Sequence, residues 1–192
     1  MTSIRSVSVV ATAAFALIAT SSASAAVIEF SYSGVASGQW LNGLYAGQSF
    51  TNKAFTITAR SLTDLVTTWS DGYKTNTSGG VLTIEDYGTF AVTSETYVWV
   101  GNTFGRSGFG IRNSSDILSL GDSAFDTWNM QSSLGPITRT GVLAGGNLWT
   151  TGGAVRLTGS TAMTFTATVV PAPGAVALVG LAGLAGSRRR RA

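Results

Sequence analysis

The stretch STAMTFTATVV, at residues 160–170, decides the fold class of this protein. Met163, Phe165 and Ala167 alternate with threonines, so apolar side chains share one face and hydroxyl groups share the other. A period of two residues, with β-branched and aromatic enrichment, is typical of a strand that buries one face. The stretch therefore predicts a half-buried β-strand at the end of the domain.

The same alternation occurs near the start of the domain and predicts an opening strand. In VIEFSYSG, at residues 27–34, Ile28, Phe30 and Tyr32 share one face. A second clear case is FTNKAFTITAR, at residues 50–60. Shorter strands between Gly, Asn and Asp turns are predicted at residues 39–41, 81–84, 89–92, 95–100 and 116–120. A strand and turn every eight residues or so is typical of sandwiches and barrels.

Residues 26–170 show no long amphipathic helix, and we therefore predict one all-β domain. The simplest arrangement is an antiparallel β-sandwich with apolar faces turned inward, and a jelly-roll is one version of it. The first and last strands are predicted to be neighbours, because both show a clear alternation of apolar and polar residues and the ends of a domain often lie close together. The polar segment 76–80 is interpreted as a loop, residues 62–69 as a strand in preference to a short helix, and Asp122 as the cap of a short helix.

The chain has no cysteine and no histidine, and these absences restrict its chemistry. They exclude Cys–His and Ser–His–Asp nucleophile systems and the usual Cys/His zinc site. Paired carboxylates remain available, and the candidates are Glu29, Glu85, Asp86 and Glu95. Because these acids fall on an outer strand face or in turns, where acids are usually solvated, we predict no catalytic residue.

Three further acids are candidates for a calcium site, since oxygen ligands from loops suit that ion. They are Asp116, Asp122 and Asp126. Their spacing matches no dense Asp/Asn/Gly loop, so we predict neither a metal nor a cofactor.

The charge distribution argues against a nucleic-acid partner. Of the twelve basic residues, five lie in the terminal segments, so residues 26–170 carry seven basic and nine acidic residues. The seven are scattered singly, whereas nucleic-acid binding needs a clustered basic surface.

The five tryptophans are the candidates for sugar contact, because an exposed indole face can stack on a sugar ring. Most tryptophans are largely buried, and Trp99 in TYVWV is expected in the core. Trp40 and Trp149 lie near predicted turns. These two are therefore the predicted sites of glycan contact.

Residues 1–25 have the pattern of a secretory signal peptide. Arg5 is their one charged residue, an apolar run follows, and Ala23-Ser24-Ala25 places small residues where a signal peptidase reads. We predict cleavage between Ala25 and Ala26, and hence an exported protein.

Residues 171–192 begin with two prolines and end in a basic cluster. The uncharged segment 172–186 would span about 22 Å as a helix, against a hydrocarbon core of about 30 Å. It predicts a hydrophobic C-terminal helix that attaches to the membrane transiently. Arg188, Arg189, Arg190 and Arg191 would remain on the cytoplasmic side by the positive-inside rule.

This tail resembles the PEP-CTERM sorting signal of exported proteins from exopolysaccharide-producing Gram-negative bacteria. Pro171 and Pro173 stand at the family's two prolines, and Ala172 stands where the family has glutamate. Residues 188–191 match its basic stop. The resemblance implies that a membrane-embedded exosortase removes the segment and releases the protein to the cell surface or the extracellular matrix.

Taken together, these features predict an exported, non-catalytic protein of the cell surface or matrix that is associated with exopolysaccharide. One alternative is a carbohydrate-binding module, which would present at least two coplanar, exposed tryptophans on one face. Another is a glycoside-active enzyme, which would need two carboxylates facing each other across a concave site.

Overall fold

The computed structural model describes residues 25–170, and its regular elements are ten β-strands and four short 3-10 helices. The strands are β1 Val27–Trp40, β2 Ser49–Leu62, β3 Thr67–Trp69, β4 Gly72–Ile84, β5 Gly88–Ala91, β6 Thr96–Gly101, β7 Arg106–Ile111, β8 Asp116–Gly121, β9 Leu134–Thr150 and β10 Gly153–Val170. The 3-10 helices are Gly43–Tyr45, Thr63–Leu65, Asn102–Phe104 and Ser123–Phe125. The prediction of an all-β domain is confirmed.

The predicted segments at both ends fall outside this part of the chain. The signal peptide before residue 25, the Pro171-Ala172-Pro173 triplet, the hydrophobic C-terminal helix and the arginine cluster all lie outside the described residues. Within residues 25–170 a membrane-spanning helix is not found.

The sheet is closed, and the predicted two-sheet sandwich is wrong in this respect. Neighbouring strands follow the order β2-β1-β10-β9-β8-β7-β6-β4, and β4 pairs again with β2. All these pairings are antiparallel, so eight strands form a closed barrel. Strands β3 and β5 add to β4 outside this ring. Closure leaves the ring without the open edges that two separate sheets would have.

Strand β4 explains why the sheet closes. Its first half, residues 72–77, pairs with β6, and its second half, residues 81–84, pairs with β2, which Ser78 already meets at Arg60. Gly79 has a φ of 61° and lies between the two halves, where β4 changes its pairing partner. Glycine tolerates this left-handed conformation, and glycine kinks curve sheets into barrels. The segment 76–80, interpreted from sequence as a loop, is therefore the bend within one continuous strand.

The first and last strands are neighbours, as predicted. Val27 pairs with Val170 and Tyr32 pairs with Phe165 in the β1–β10 ladder. Both ends of the described chain therefore lie at the same end of the barrel.

Side chains fill the interior of the barrel. The Tyr32 hydroxyl lies 2.9 Å from the Ser107 hydroxyl oxygen, which joins β1 to β7 across the core. The ring of Phe165 lies 5.0 Å from that of Tyr32, 5.3 Å from Phe125 and 5.5 Å from Trp128. Phe125 and Trp128 belong to the β8–β9 connection, which covers the end of the barrel where the chain termini lie.

The predicted cap at Asp122 is confirmed in that connection. A carboxylate oxygen of Asp122 accepts a hydrogen bond of 2.8 Å from the Ala124 N–H and so begins the 3-10 helix Ser123–Phe125. The same carboxylate pairs with Arg139 at 2.8 Å.

The opposite end is closed by an aromatic cluster around Trp40. The Trp40 ring lies 5.4 Å from Tyr45 and 5.0 Å from Phe90, and its exposed fraction is 0%. The expectation that Trp40 is exposed is therefore wrong. The turn after Trp40 folds back, because Asn42 accepts a hydrogen bond of 2.7 Å from the Ala154 N–H, and this places Tyr45 against the indole.

Candidate functional site

The main candidate site is a groove of about 680 Å³ on the outer face of the barrel, across β3, β4, β6 and β8. We call it the aromatic groove and define it by Trp69, Lys74, Tyr97, Trp99, Phe104 and Asp116. The Trp69 and Trp99 rings lie 6.3 Å apart at an angle of 83°. The two indoles therefore share one face of the protein but are half-buried and form a corner, so this groove does not present the coplanar, exposed pair expected of a carbohydrate-binding module.

Backbone register brings the groove residues together. Lys74 of β4 is paired with Trp99 of β6, and Trp99 is paired with Gly108 of β7. Two positions further along the strands, Tyr97 is paired with Gly110, and Gly110 with Asp116. Side chains two residues apart on a strand point to the same side, so all these residues face outward.

Trp99 was expected in the core, and that expectation is wrong. Its neighbours Val98 and Val100 are fully buried, whereas Trp99 lies half-buried on the outside. In TYVWV both faces of the strand are apolar or aromatic, so a period of two does not tell which face is inside.

Two glycines of β7 allow the aromatic rings to cross that strand. A Cβ atom added at Gly108 would lie 2.6 Å from the Trp99 ring, and one added at Gly110 would lie 2.6 Å from the Tyr97 ring. Because these positions carry no side chain, both rings lie against the β7 backbone and reach Asp116 on the far side. The Gly-Phe-Gly sequence at 108–110 indicates that large side chains can pack against this strand, but it does not indicate which strand supplies them.

Asp116 receives two hydrogen bonds from the aromatic side chains. The Tyr97 hydroxyl donates to Oδ1 of Asp116 at 2.9 Å, and the Trp99 indole nitrogen donates to the same oxygen at 3.0 Å. These bonds hold the carboxylate in place and leave Oδ2 as an acceptor for a ligand hydroxyl. Burial, together with the hydrogen bond to Asp116, raises the pKa of Tyr97 to about 12.

The Gly108→Ala variant tests the close packing of Trp99. Since the new methyl group would overlap the indole, we expect the free energy of unfolding to fall by about 1–3 kcal/mol. Urea denaturation measures this change. Gly121→Ala is the matched control, because its nearest contact would be an ordinary 3.4 Å, and it should change stability by about 0.5 kcal/mol or less. Equal denaturation midpoints for the two variants would contradict the packing described for Trp99.

The alkaline limit of stability is expected to depend on Tyr97 and Tyr32. Burial raises the pKa of Tyr32 above its ordinary value, and burial with the Asp116 bond raises that of Tyr97. A raised pKa stabilises the fold fully below the ordinary tyrosine value of about 10, and this contribution is lost as the pH rises through the folded-state pKa. Melting temperatures should therefore fall between pH 10.0 and about 12.

The Tyr97→Phe variant separates the two tyrosines in that experiment. It should melt lower than the parent at neutral pH, because Asp116 loses a donor, but its melting temperature should fall less steeply above pH 10.0. If the melting temperature of the variant fell as steeply above pH 10.0 as that of the parent, the pKa of Tyr97 would not be raised in the folded protein.

A second depression, of about 430 Å³, surrounds Trp149. We call it the Trp149 depression and define it by Ser114, Asn147, Trp149 and Arg156. Trp149 is 50% exposed, which confirms the exposure expected from its position near a turn; its contact with a glycan remains a prediction. Arg156 donates from Nε to Oδ1 of Asn147 at 3.0 Å, so its side chain is oriented along the rim.

Three of the four carboxylates suspected of catalysis are paired with cations, and the fourth, Glu85, accepts a hydrogen bond of 3.0 Å from the Ala54 N–H. Glu29 pairs with Arg60, Asp86 with Lys53 and Glu95 with Arg112. Among the residues that line the aromatic groove, Asp116 is the single acid. The described residues therefore do not place two carboxylates across this groove in the way a glycosidase needs.

The three acids suspected of binding calcium are not gathered at one place. Asp116 lies in the aromatic groove, whereas Asp122 caps a 3-10 helix and pairs with Arg139. Over residues 25–170 no group of three possible metal-ligating side chains is found.

The fold and the two depressions define the class: a closed all-β barrel whose interior is filled by side chains and whose aromatic groove lies outside. No family model, no curated protein and no solved structure matches the chain. The class is therefore defined by the geometry of the barrel and of its outer surface.

Proposed function

We propose that this protein is exported and binds extracellular polysaccharide, without catalysis, in the aromatic groove. The observation that carries this proposal is the corner formed by Trp69 and Trp99 beside Asp116. Binding sites for small ligands combine apolar walls with a few fixed polar groups, and this groove has both.

The chemistry of the groove fits a sugar ring. A pyranose has an apolar C–H face that packs on an indole and hydroxyl groups at its edge that need polar partners. Trp69 and Trp99 meet at 83°, so they can contact one ring on two sides. Oδ2 of Asp116 then accepts from a hydroxyl group. A corner of this kind suits a single flexible chain better than a flat crystalline surface.

Export is the second part of the proposal and is supported by the terminal sequences. The tail resembling a PEP-CTERM signal would hold the protein transiently at the inner membrane, and an exosortase-type enzyme would then release it to the cell surface or matrix. Because Val27 and Val170 are paired, both terminal segments join the barrel at one end.

Two measurements test the proposal. The exported protein should be retarded in an affinity gel that contains the polysaccharide of the producing cells; equal mobility in loaded and empty gels would contradict binding. Mass spectrometry of released protein should show truncation near Pro171. An intact terminus that carries Arg188 to Arg191 would contradict processing by an exosortase.

A further inference from the structure

We infer that the ligand is an acidic polysaccharide and that one chain occupies both the aromatic groove and the Trp149 depression. This inference rests on the proposed polysaccharide binding and adds the class of sugar and a second subsite. It predicts that carboxylate-bearing sugars bind more tightly than neutral ones of the same ring structure.

Each depression combines a tryptophan with a cation: the indoles of the aromatic groove are half-buried, and Trp149 is exposed. In the aromatic groove, Lys74 is the cross-strand neighbour of Trp99 on the same outward face. In the Trp149 depression, Arg156 and Trp149 line the same cavity. An indole packs on the apolar face of a sugar ring, and the adjacent cation pairs with a carboxylate on that ring.

These two cations have no acidic partner within the part of the chain that the structure describes. Lys53, Arg60, Arg112 and Arg139 each pair with an acid. The cations left over are Lys74, Arg106 and Arg156. Two of these three therefore line the two depressions, where an anionic ligand would neutralise them.

The two depressions are joined by a short series of contacts. Arg112 lines the aromatic groove and donates to Glu95 at 3.0 Å. The neighbouring residue, Ser94, accepts a hydrogen bond of 3.2 Å from the Trp149 backbone N–H. The turn that contains Ser114 separates the depressions and lines the second of them. A polysaccharide chain that crosses this turn would contact both.

Asp116 sets the orientation of a charged sugar in the groove. Its carboxylate would repel a ligand carboxylate but accept a hydroxyl group. Lys74 lies in the cross-strand row of Trp99, and Asp116 lies in the next outward-facing row, that of Tyr97. The ligand carboxylate therefore lies on the Lys74 side, and a hydroxyl group lies on the Asp116 side.

The test compares two polymers with the same sugar backbone: polygalacturonate and its methyl ester, in which an uncharged ester replaces each carboxylate. Calorimetric titration of the exported protein at low salt should show about tenfold tighter binding to the acid, and the difference should shrink as salt is added, as expected for exposed ion pairs. Lys74→Gln and Arg156→Gln should each weaken binding to the acid about three- to fivefold, with little effect on binding to the ester. Arg106→Gln is the matched control and should change neither, since Arg106 lies outside both depressions.

The possible results are distinguishable. Equal binding to the acid and the ester overturns the acidic ligand but leaves the proposed polysaccharide binding in place. If Arg106→Gln weakened binding to the acid as much as the other two variants, the assignment of the two subsites would be overturned, because the whole protein surface would then attract the anionic polymer. Binding to neither polymer overturns this inference, and the affinity gel with native polysaccharide then decides separately whether the proposed function also fails.

Discussion

Replacing Phe165 by alanine is expected to lower the free energy of unfolding by about 3–5 kcal/mol. Phe165 is fully buried and is the aromatic side chain that joins Tyr32 to Phe125 and Trp128 at the end of the barrel. Its removal leaves a cavity lined by rigid rings, which cannot collapse to fill it. Since a domain is stable by about 5–15 kcal/mol and this chain has no disulfide to compensate, the variant should lose a large share of its stability.

The control for this variant is Phe104→Ala. Phe104 is 52% exposed, so the same truncation should cost at most about 1 kcal/mol. Urea denaturation followed by tryptophan fluorescence measures both. If the two variants lost the same stability, Phe165 would not be at the centre of the core.

Replacing Trp99 by alanine is expected to weaken polysaccharide binding at least about thirtyfold, which is the loss of about 2 kcal/mol typical of a central tryptophan in an interface. The substitution removes one wall of the corner with Trp69. It also removes one of the two hydrogen bonds that hold Asp116. The ring contact and the polar contact to the sugar are therefore both weakened.

Two further variants show whether the loss is specific. Trp99→Phe keeps an aromatic face but loses the donor to Asp116, so it should bind between the parent and the alanine variant. Leu44→Ala removes an exposed apolar side chain, 73% accessible, away from both depressions and should bind like the parent. Parent-like binding by a folded Trp99→Ala protein would rule out the aromatic groove as the site.

The interior of the barrel was largely predictable from the sequence. In β1, β2 and β10 the apolar residues alternate with serine, threonine or glutamate, so the inner face follows from the period of two alone. The clear alternation in β1 and β10, together with the tendency of domain ends to lie close together, also predicted that these strands are neighbours. A strand with one polar face has a single way to bury its apolar side chains.

The closure of the sheet was not predictable in the same way. The segment 76–80 has the composition of a loop, and its interpretation as one limited the predicted strand to residues 81–84, the second half of β4. In the structure Gly79 bends the strand instead, because each half of β4 has its own partner, β6 or β2. Glycine permits both a turn and a kink, and pairing with distant strands decides between them.

The sequence by itself determined that this is an all-β domain without cysteine or histidine chemistry, because composition and a period of two are local properties. It also predicts export, through the two terminal segments. The tertiary structure decided which tryptophans are accessible. Trp40 is buried because a turn folds Tyr45 against it, and Trp99 is on the surface because β7 presents a glycine beneath it. Both outcomes depend on packing and strand pairing that a local sequence pattern does not specify: Phe90 and Ala154 reach the Trp40 turn from distant parts of the chain, and the pairing of β6 with β7 places Gly108 against Trp99.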